Sequence, residues 1–181
     1  NLTFGAANLT NEITSSGSIT IACGIIGVNG FVKSGTGSGV LLLTGTNTYT
    51  GDTIIQAGTL ALGGPCTITN SLNITLAGGA TFDVSALTTA LTLSNANTFI
   101  ASGSTTTGTV ATASGEGLTL AGTTALKFSA YNGSTPPLRV TGAGSITLAA
   151  GNVVTVTVNG SALTAGDYKL ISTNNDGGVV N

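Results

Sequence analysis

The sequence predicts an all-β chain wound as a parallel β-helix, and three observations carry that expectation. Charge is nearly absent: four Lys and Arg stand against six Asp and Glu in 181 residues, or 6% charged, where ordinary soluble domains hold about 25%. Lys, Glu and Arg normally fill the exposed faces of helices, so their scarcity removes the material of helices. Glycine, with 28 residues, cuts Thr-, Val-, Leu- and Ile-rich stretches at intervals of roughly eight to twelve residues, the spacing of many short strands. A phrase also recurs, as Ile74-Thr75-Leu76-Ala77-Gly78, Leu118-Thr119-Leu120-Ala121-Gly122 and Ile146-Thr147-Leu148-Ala149-Ala150-Gly151, with Leu60-Ala61-Leu62-Gly63 a looser copy. Imperfect self-similarity of this kind marks a solenoid. A β-sandwich is the competing fold; the recurring phrase and the 4% aromatic content favour the coil.

The elements follow in chain order. Residues 1–10 alternate apolar and polar like a strand without a partner. Strands are expected at 18–22, 40–43, 53–56, 59–62, 71–76, 81–84 and 90–93, where β-branched residues and leucines alternate with Thr or Ser. They continue at 117–120, 125–129, 138–140, 145–148, 153–158 and 168–171. Turn formers separate them: the glycine run 35–39, Gly63-Gly64-Pro65, Gly78-Gly79, Asn132-Gly133-Ser134, Asn159-Gly160 and Asp176-Gly177-Gly178. In a β-helix each strand pairs with its copy one coil on, about 4.8 Å away. Inward Leu, Ile and Val then stack on themselves, and outward Thr residues form ladders. At roughly 20 residues per coil, a size typical of stacked repeats, the chain makes about eight or nine coils in one domain, 1–181.

Composition excludes several classes. Mean hydropathy is positive and net charge is −2, opposite to the low hydropathy and high charge of disordered chains. Apolar runs fall short of the roughly 20 residues of a membrane helix. The first residues lack the form of a signal peptide, which suggests a mature protein or an excised fragment. Four scattered cations cannot neutralise a phosphate track, so nucleic acid is not a partner.

The segment from Gly27 to Gly64 is the most specific. It runs through Leu41-Leu42-Leu43-Thr44-Gly45, Asn47-Thr48-Tyr49-Thr50-Gly51, and Thr53 onward through Gly58-Thr59-Leu60 to Gly63. This order resembles the passenger-associated repeat of bacterial autotransporters, over about a fifth of the chain. Ala165-Gly166-Asp167-Tyr168-Lys169-Leu170-Ile171 resembles a phrase common near the ends of such secreted regions. The resemblance implies a right-handed parallel β-helix outside a bacterial cell, with the repeat aiding outward passage and folding. The family's proteins are usually long and end in an outer-membrane barrel. This chain carries no barrel pattern, so a barrel is a partner only if the chain is a passenger fragment.

Candidate chemistry is thin. Sugar-cleaving β-helices need clustered carboxylates, and the acids here lie far apart. Asp52 and Asp83, 31 residues apart, do not fit a whole number of coils. With no His, a Ser nucleophile lacks its usual base. Catalysis, cofactors and a metal site are therefore not expected; Gly51-Asp52 and Asp176-Gly177 only faintly echo a calcium repeat. Cys23 and Cys66 are a candidate disulfide, either within the chain or between copies. Two coils of about 21 residues would hold them about 9.6 Å apart, beyond the about 7 Å that a bridge spans, unless the glycine run 35–39 lengthens one coil. Free buried thiols are the remaining state. Thr-x-Thr pairs at Thr44/Thr46, Thr48/Thr50, Thr67/Thr69, Thr105/Thr107 and Thr155/Thr157 raise ice binding, but their spacing is irregular. Sequons stand at Asn1, Asn8, Asn73, Asn132 and Asn159 and matter only in a glycosylating host.

Neither end shows an amphipathic cap, which solenoids normally need. Residues 1–17 and 172–181 are therefore candidate contacts between subunits. The function expected is structural: a secreted, cell-surface subunit polymerising head to tail into a filament or adhesive layer, with surface glycans or other cells as further partners. The alternatives are the stem of an autotransporter passenger or adhesin, and an ice-binding solenoid.

Overall fold

The computed structural model describes residues 1–4, 11–94 and 97–173. Among the described residues nineteen strands stack in seven rungs on three faces. The first rung is β1 (Leu2–Phe4), β2 (Asn11–Thr14) and β3 (Ser18–Ile21). The second is β4 (Ile25–Gly27), β5 (Phe31–Ser34) and β6 (Val40–Leu43). The third and fourth rungs have two strands each, β7 (Thr53–Ile55) with β8 (Thr59–Gly64), then β9 (Asn73–Leu76) with β10 (Thr81–Leu87). Their remaining face is joined by a single parallel bridge, Thr46 to Thr67. The fifth rung is β11 (Leu91–Leu93), β12 (Thr98–Ala101) and β13 (Gly108–Ala111); the sixth is β14 (Leu118–Leu120), β15 (Ala125–Tyr131) and β16 (Leu138–Thr141). The seventh is β17 (Ile146–Leu148), β18 (Val153–Val158) and β19 (Ile171–Thr173).

Two seven-stranded sheets run the length of the stack, in the orders β18-β15-β12-β9-β7-β5-β2 and β19-β16-β13-β10-β8-β6-β3. We call them face B and face C. Every strand pairing is parallel. A sandwich is built from antiparallel hairpins, so the β-sandwich alternative is excluded.

The expected eight or nine coils become seven rungs, six turns apart from first to last. The reason is coil length. On face B the step is 20 residues from Asn11 to Phe31, then 25 from Asn73 to Thr98 and 28 from Ala125 to Val153. On face C it grows from 19 between Val40 and Thr59 to 33 between Leu138 and Ile171. Most of the added residues lie in turns, and the register shifts within strands at two places, between Asp83 and Ala86 and between Phe128 and Tyr131.

The core is a set of columns. On face C, Ile19, Leu41, Leu60, Phe82, Val110, Val140 and Thr173 occupy one inward row. From Leu41 to Val110 this row is fully buried. Each buried leucine in such a row contributes about 1.5–3 kcal/mol. The recurring phrases Leu118-Thr119-Leu120 and Ile146-Thr147-Leu148 stack directly on one another, with Leu91-Thr92-Leu93 below them. Their threonines form an outward column, as do Thr59, Thr81 and Thr109 on face C. Ile74-Thr75-Leu76 has the same phrase but stands on face B, paired with Thr53, Ile54 and Ile55.

Several strands carry no clear strand pattern in their sequence. β2 contains Glu12, β5 contains Lys33, and β13 opens on Gly108, all weak strand residues. β4 and β12 likewise lie outside the strands expected from the sequence. The strand expected at 168–171 begins only at Ile171, because Tyr168 turns aside to pack edge-on against Tyr131 at 6.2 Å. The turn at 176–178 lies outside the described residues.

Candidate functional site: the repeat segment and the coil ends

The motif residues Asn47, Tyr49, Gly51, Gly58 and Leu60 all do structural work between coils, and each acts differently. Asn47 is buried. Its Oδ1 accepts from the Ile25 N–H at 3.0 Å, one coil back. Its Nδ2 donates to Gly45 O at 2.9 Å, and to Thr67 O at 3.1 Å and Cys66 Sγ at 3.2 Å, one coil on. One amide thus fastens three coils where the third face lacks a strand. Asn97 does similar work further along: its Oδ1 accepts from the Ser94 N–H at 2.8 Å and its Nδ2 donates to Thr69 O at 2.9 Å.

The Tyr49 ring is buried against Phe31, edge to face at 5.6 Å, with Phe4 at 6.4 Å. Its hydroxyl lies 2.6 Å from Thr53 Oγ1, which lies 2.9 Å from Ser71 Oγ, which donates to Gly51 O at 2.9 Å. A carbonyl can only accept, so the chain of protons runs Tyr49 to Thr53 to Ser71 to Gly51. Burial holds the Tyr49 phenol well above its ordinary range. Gly51 has no room for a side chain, since a Cβ there would stand 2.0 Å from Gly30 N. Gly58 takes a left-handed φ of 70° and passes under Gly39 O, where a Cβ would stand at 2.4 Å. Leu60 is stacked between Leu41 and Phe82, and Thr59 between Val40 and Thr81. Thr48 and Thr50 are exposed; their backbone N–H groups donate to Ile25 O and Gly27 O.

Lys33 was not anticipated. It sits in the inward row of face B between Ile13 and Ile55 and is fully buried. Its Nζ donates to Ser34 O at 2.7 Å and Ala57 O at 3.1 Å, and burial lowers its pKa. A lysine between Val32 and Ser34 gives no sequence signal of facing inward, because register decides the face.

The cysteines do not meet. Both are free thiols, Cys23 exposed and Cys66 buried. The coil containing Gly45 lies between them: a Cβ on Gly45 would touch the Cys23 backbone at 2.5 Å, and Asn47 on the same coil reaches Cys66. The lengthening at 35–39 that would have aligned them does not occur. Burial pushes the Cys66 thiol from 9.0 up to about 11. An alkylating reagent at pH 8 is expected to label Cys23 rapidly and Cys66 only on unfolding; two protected thiols in unreduced protein would refute the separation. The sign of the pH effect follows. The folded Cys66 holds its proton to higher pH than the unfolded chain, so its contribution is complete below pH 9 and is lost as pH rises to about 11. Tyr49 adds loss in the same direction above its ordinary value, while Lys33, whose charged form is disfavoured, adds stability as it deprotonates. Urea midpoints measured from pH 8 to 11 should fall less steeply in Cys66→Ala than in the parent.

Asp52 and Asp83 stand on different faces. Asp52 Oδ1 accepts from the Asn73 N–H and Nδ2 beside face B, and Asp83 Oδ1 accepts from the Ser85 N–H and hydroxyl on face C. The acid pair is therefore not assembled. A shallow corner groove between Val28, Thr50 and Leu72 includes Asp52 as its one carboxylate. Among the described residues, no group of three His, Cys, Asp or Glu side chains converges. The Thr-x-Thr pairs are scattered over turns and β18.

The coil ends differ from the middle. Among the described residues eight large hydrophobic side chains are exposed, and six lie on terminal rungs: Leu2 and Ile19 on the first, Leu148, Val153, Val154 and Val156 on the last. Of the expected contact ends, 5–10 and 174–181 lie outside the described residues.

The fold is a parallel β-solenoid, and its residues 31–62 match the Passenger-associated-transport-repeat family, within the expected bounds of 27–64. Over 80 residues the chain is 42% identical to the adhesin BmaC autotransporter of Brucella suis biovar 1 (strain 1330). That match covers 44% of this chain and 2% of the adhesin. No solved structure matches the chain.

Proposed function

We propose a non-catalytic structural role on the cell exterior, in which this β-solenoid is the subunit of a surface filament or adhesive layer and copies stack head to tail. The observation that carries this is the last rung. Val154 and Val156 continue the inward rows of Leu126 and Phe128, and Leu148 continues that of Leu120. The inner members are buried while the terminal ones are 45%, 39% and 43% exposed. Such a row can be continued by a further coil, of a second copy or of the same chain. Low charge removes the repulsion that normally keeps sheet edges apart. Secretion and surface exposure are what the repeat and the adhesin relative support.

A second reading, the stem of a longer passenger, is favoured by the match to a small part of a very long adhesin. There the open rungs are covered by further coils of the same chain, and surface glycans or other cells bind elsewhere on the protein. Electron microscopy of the purified chain separates the two. Fibres with an axial repeat near 34 Å, seven rungs at about 4.8 Å, are expected for the filament. Isolated rods at high concentration would refute it in favour of the stem.

A further inference from the structure

We propose that the outer surface of face B binds the same surface of a second copy side by side, with the two stacks antiparallel about a two-fold axis between the third and fourth rungs. The contact is lateral. It therefore goes beyond the head-to-tail reading above and does not depend on it, or on what covers the terminal rungs.

Side chains alternate across a strand, so where Ile13, Lys33 and Ile55 line the core their chain neighbours face out. Over the first six rungs the outward row on face B runs Glu12, Val32, Ile54, Thr75, Ile100, Lys127. It reads acid, two apolar residues, a hydroxyl, an apolar residue and a cation. Such a row is complementary to its own reverse. A two-fold axis along the strand direction, between Ile54 and Thr75, sets Glu12 opposite Lys127 of the second copy. The same axis sets Val32 opposite Ile100 of that copy, and Ile54 opposite its Thr75. Symmetry makes each contact twice, and any other alignment of the row loses both ion pairs.

Glu12 and Lys127 are the outward charges on the described strands of face B, since Lys33 turns inward. Both are exposed, and their side chains together span the about 10 Å between packed sheets. Glu12 is held in place, its Oε1 accepting from the Ser34 hydroxyl at 2.5 Å. Asp52, beside the face on the third rung, meets the fourth rung of the second copy, where Asn73 stands, so no acid opposes an acid. Apolar exposure marks the same region. Among the described residues the two exposed large hydrophobics away from the terminal rungs are Val28 and Leu72, at 64% and 53%. They border the corner groove that Val32 and Ile54 also line. An exposed apolar surface rimmed by polar groups is the form of an interaction site. A partner carrying one sign of charge would oppose either Glu12 or Lys127, whereas a reversed copy satisfies both.

Sedimentation velocity below the concentration at which fibres form tests the pairing. The parent chain should show a monomer–dimer equilibrium. Glu12→Lys sets lysine against lysine twice and should raise the dimer dissociation constant at least about tenfold, as should Lys127→Glu. Glu12→Lys combined with Lys127→Glu rebuilds both pairs with their signs exchanged and should restore the dimer. Ile54→Lys, at the centre of the contact, should abolish it. These side chains all point outward, so the circular dichroism of the monomer should not change. A dimer indifferent to charge reversal would overturn the proposal. So would a chain that stays monomeric at every concentration, and the face would then belong to a different partner. Fibres made of single, unpaired strands would overturn the lateral contact and leave the head-to-tail reading standing; dimers without fibres would do the reverse.

Discussion

Gly51→Ala should be among the most damaging single-methyl additions in this protein. The added Cβ would stand 2.0 Å from Gly30 N and 2.5 Å from Asn29 C, which are backbone atoms of the preceding coil. Backbone cannot swing aside as a side-chain tip can, so the coils must part at that corner. The strain is expected to cost at least about 3 kcal/mol, the upper end for overpacking, and to lower the melting temperature by roughly 6–12 °C. Gly30→Ala should act alike, its Cβ falling 1.7 Å from Asp52 O. Gly17→Ala is the control: nothing lies within 4 Å of its Cβ position and its φ is not left-handed. It should be neutral, or stabilising by about 0.4–1 kcal/mol through the unfolded chain. Thermal melts of the three variants decide the matter. Equal melting temperatures for Gly51→Ala and Gly17→Ala would show that the coils are not in contact at this corner.

Asn47→Ala should follow closely in size. It strips the Ile25 N–H of its acceptor and the Thr67 carbonyl of its donor, both inside the coil stack. A buried backbone group left unpaired costs about 1–3 kcal/mol, so a loss of roughly 2–4 kcal/mol is expected in chemical denaturation. Asn47→Asp keeps the acceptor but removes both amide donors and buries a charge, and should be worse. Thr48→Ala, exposed on the same turn, should stay within about 0.5 kcal/mol of the parent. If Asn47→Ala matched Thr48→Ala, the amide would not be what joins these coils. The comparison also separates two roles within one motif. Asn47, Tyr49 and Gly51 hold coils together from inside, whereas Thr48 and Thr50 present side chains outward.

The repeat segment was the legible part of the functional surface, because its residue types state their jobs. Asn and Gly in a Thr-rich run read as turn and close approach, and the leucines read as a core row. What the motif does across coils was not legible. Cross-coil hydrogen bonds such as Asn47 to Thr67 join residues 20 apart, and their existence depends on coil length. The same dependence defeated the cysteine pair: 43 residues of separation admits alignment or misalignment according to how many residues each turn absorbs. Lys33 is the sharper case. Shifting β5 by one residue would turn it to solvent, and only its pairing with Ile13 and Ile55 turns it inward.

The sequence by itself determined the class of this protein. Scarce charge, glycine at regular intervals and a recurring Leu-Thr-Leu phrase admit few folds other than stacked β-coils, since such a chain lacks the polar surface of helices and has only stacked strands in which to satisfy its backbone. The tertiary structure alone decided the number of rungs and the occupants of each column. Those depend on turn length, which side-chain pattern does not encode: a turn of any length that returns the chain in register is compatible with the same strands. Lengthening turns reduced eight or nine coils to seven rungs, and two coils of ordinary length kept Cys23 from Cys66.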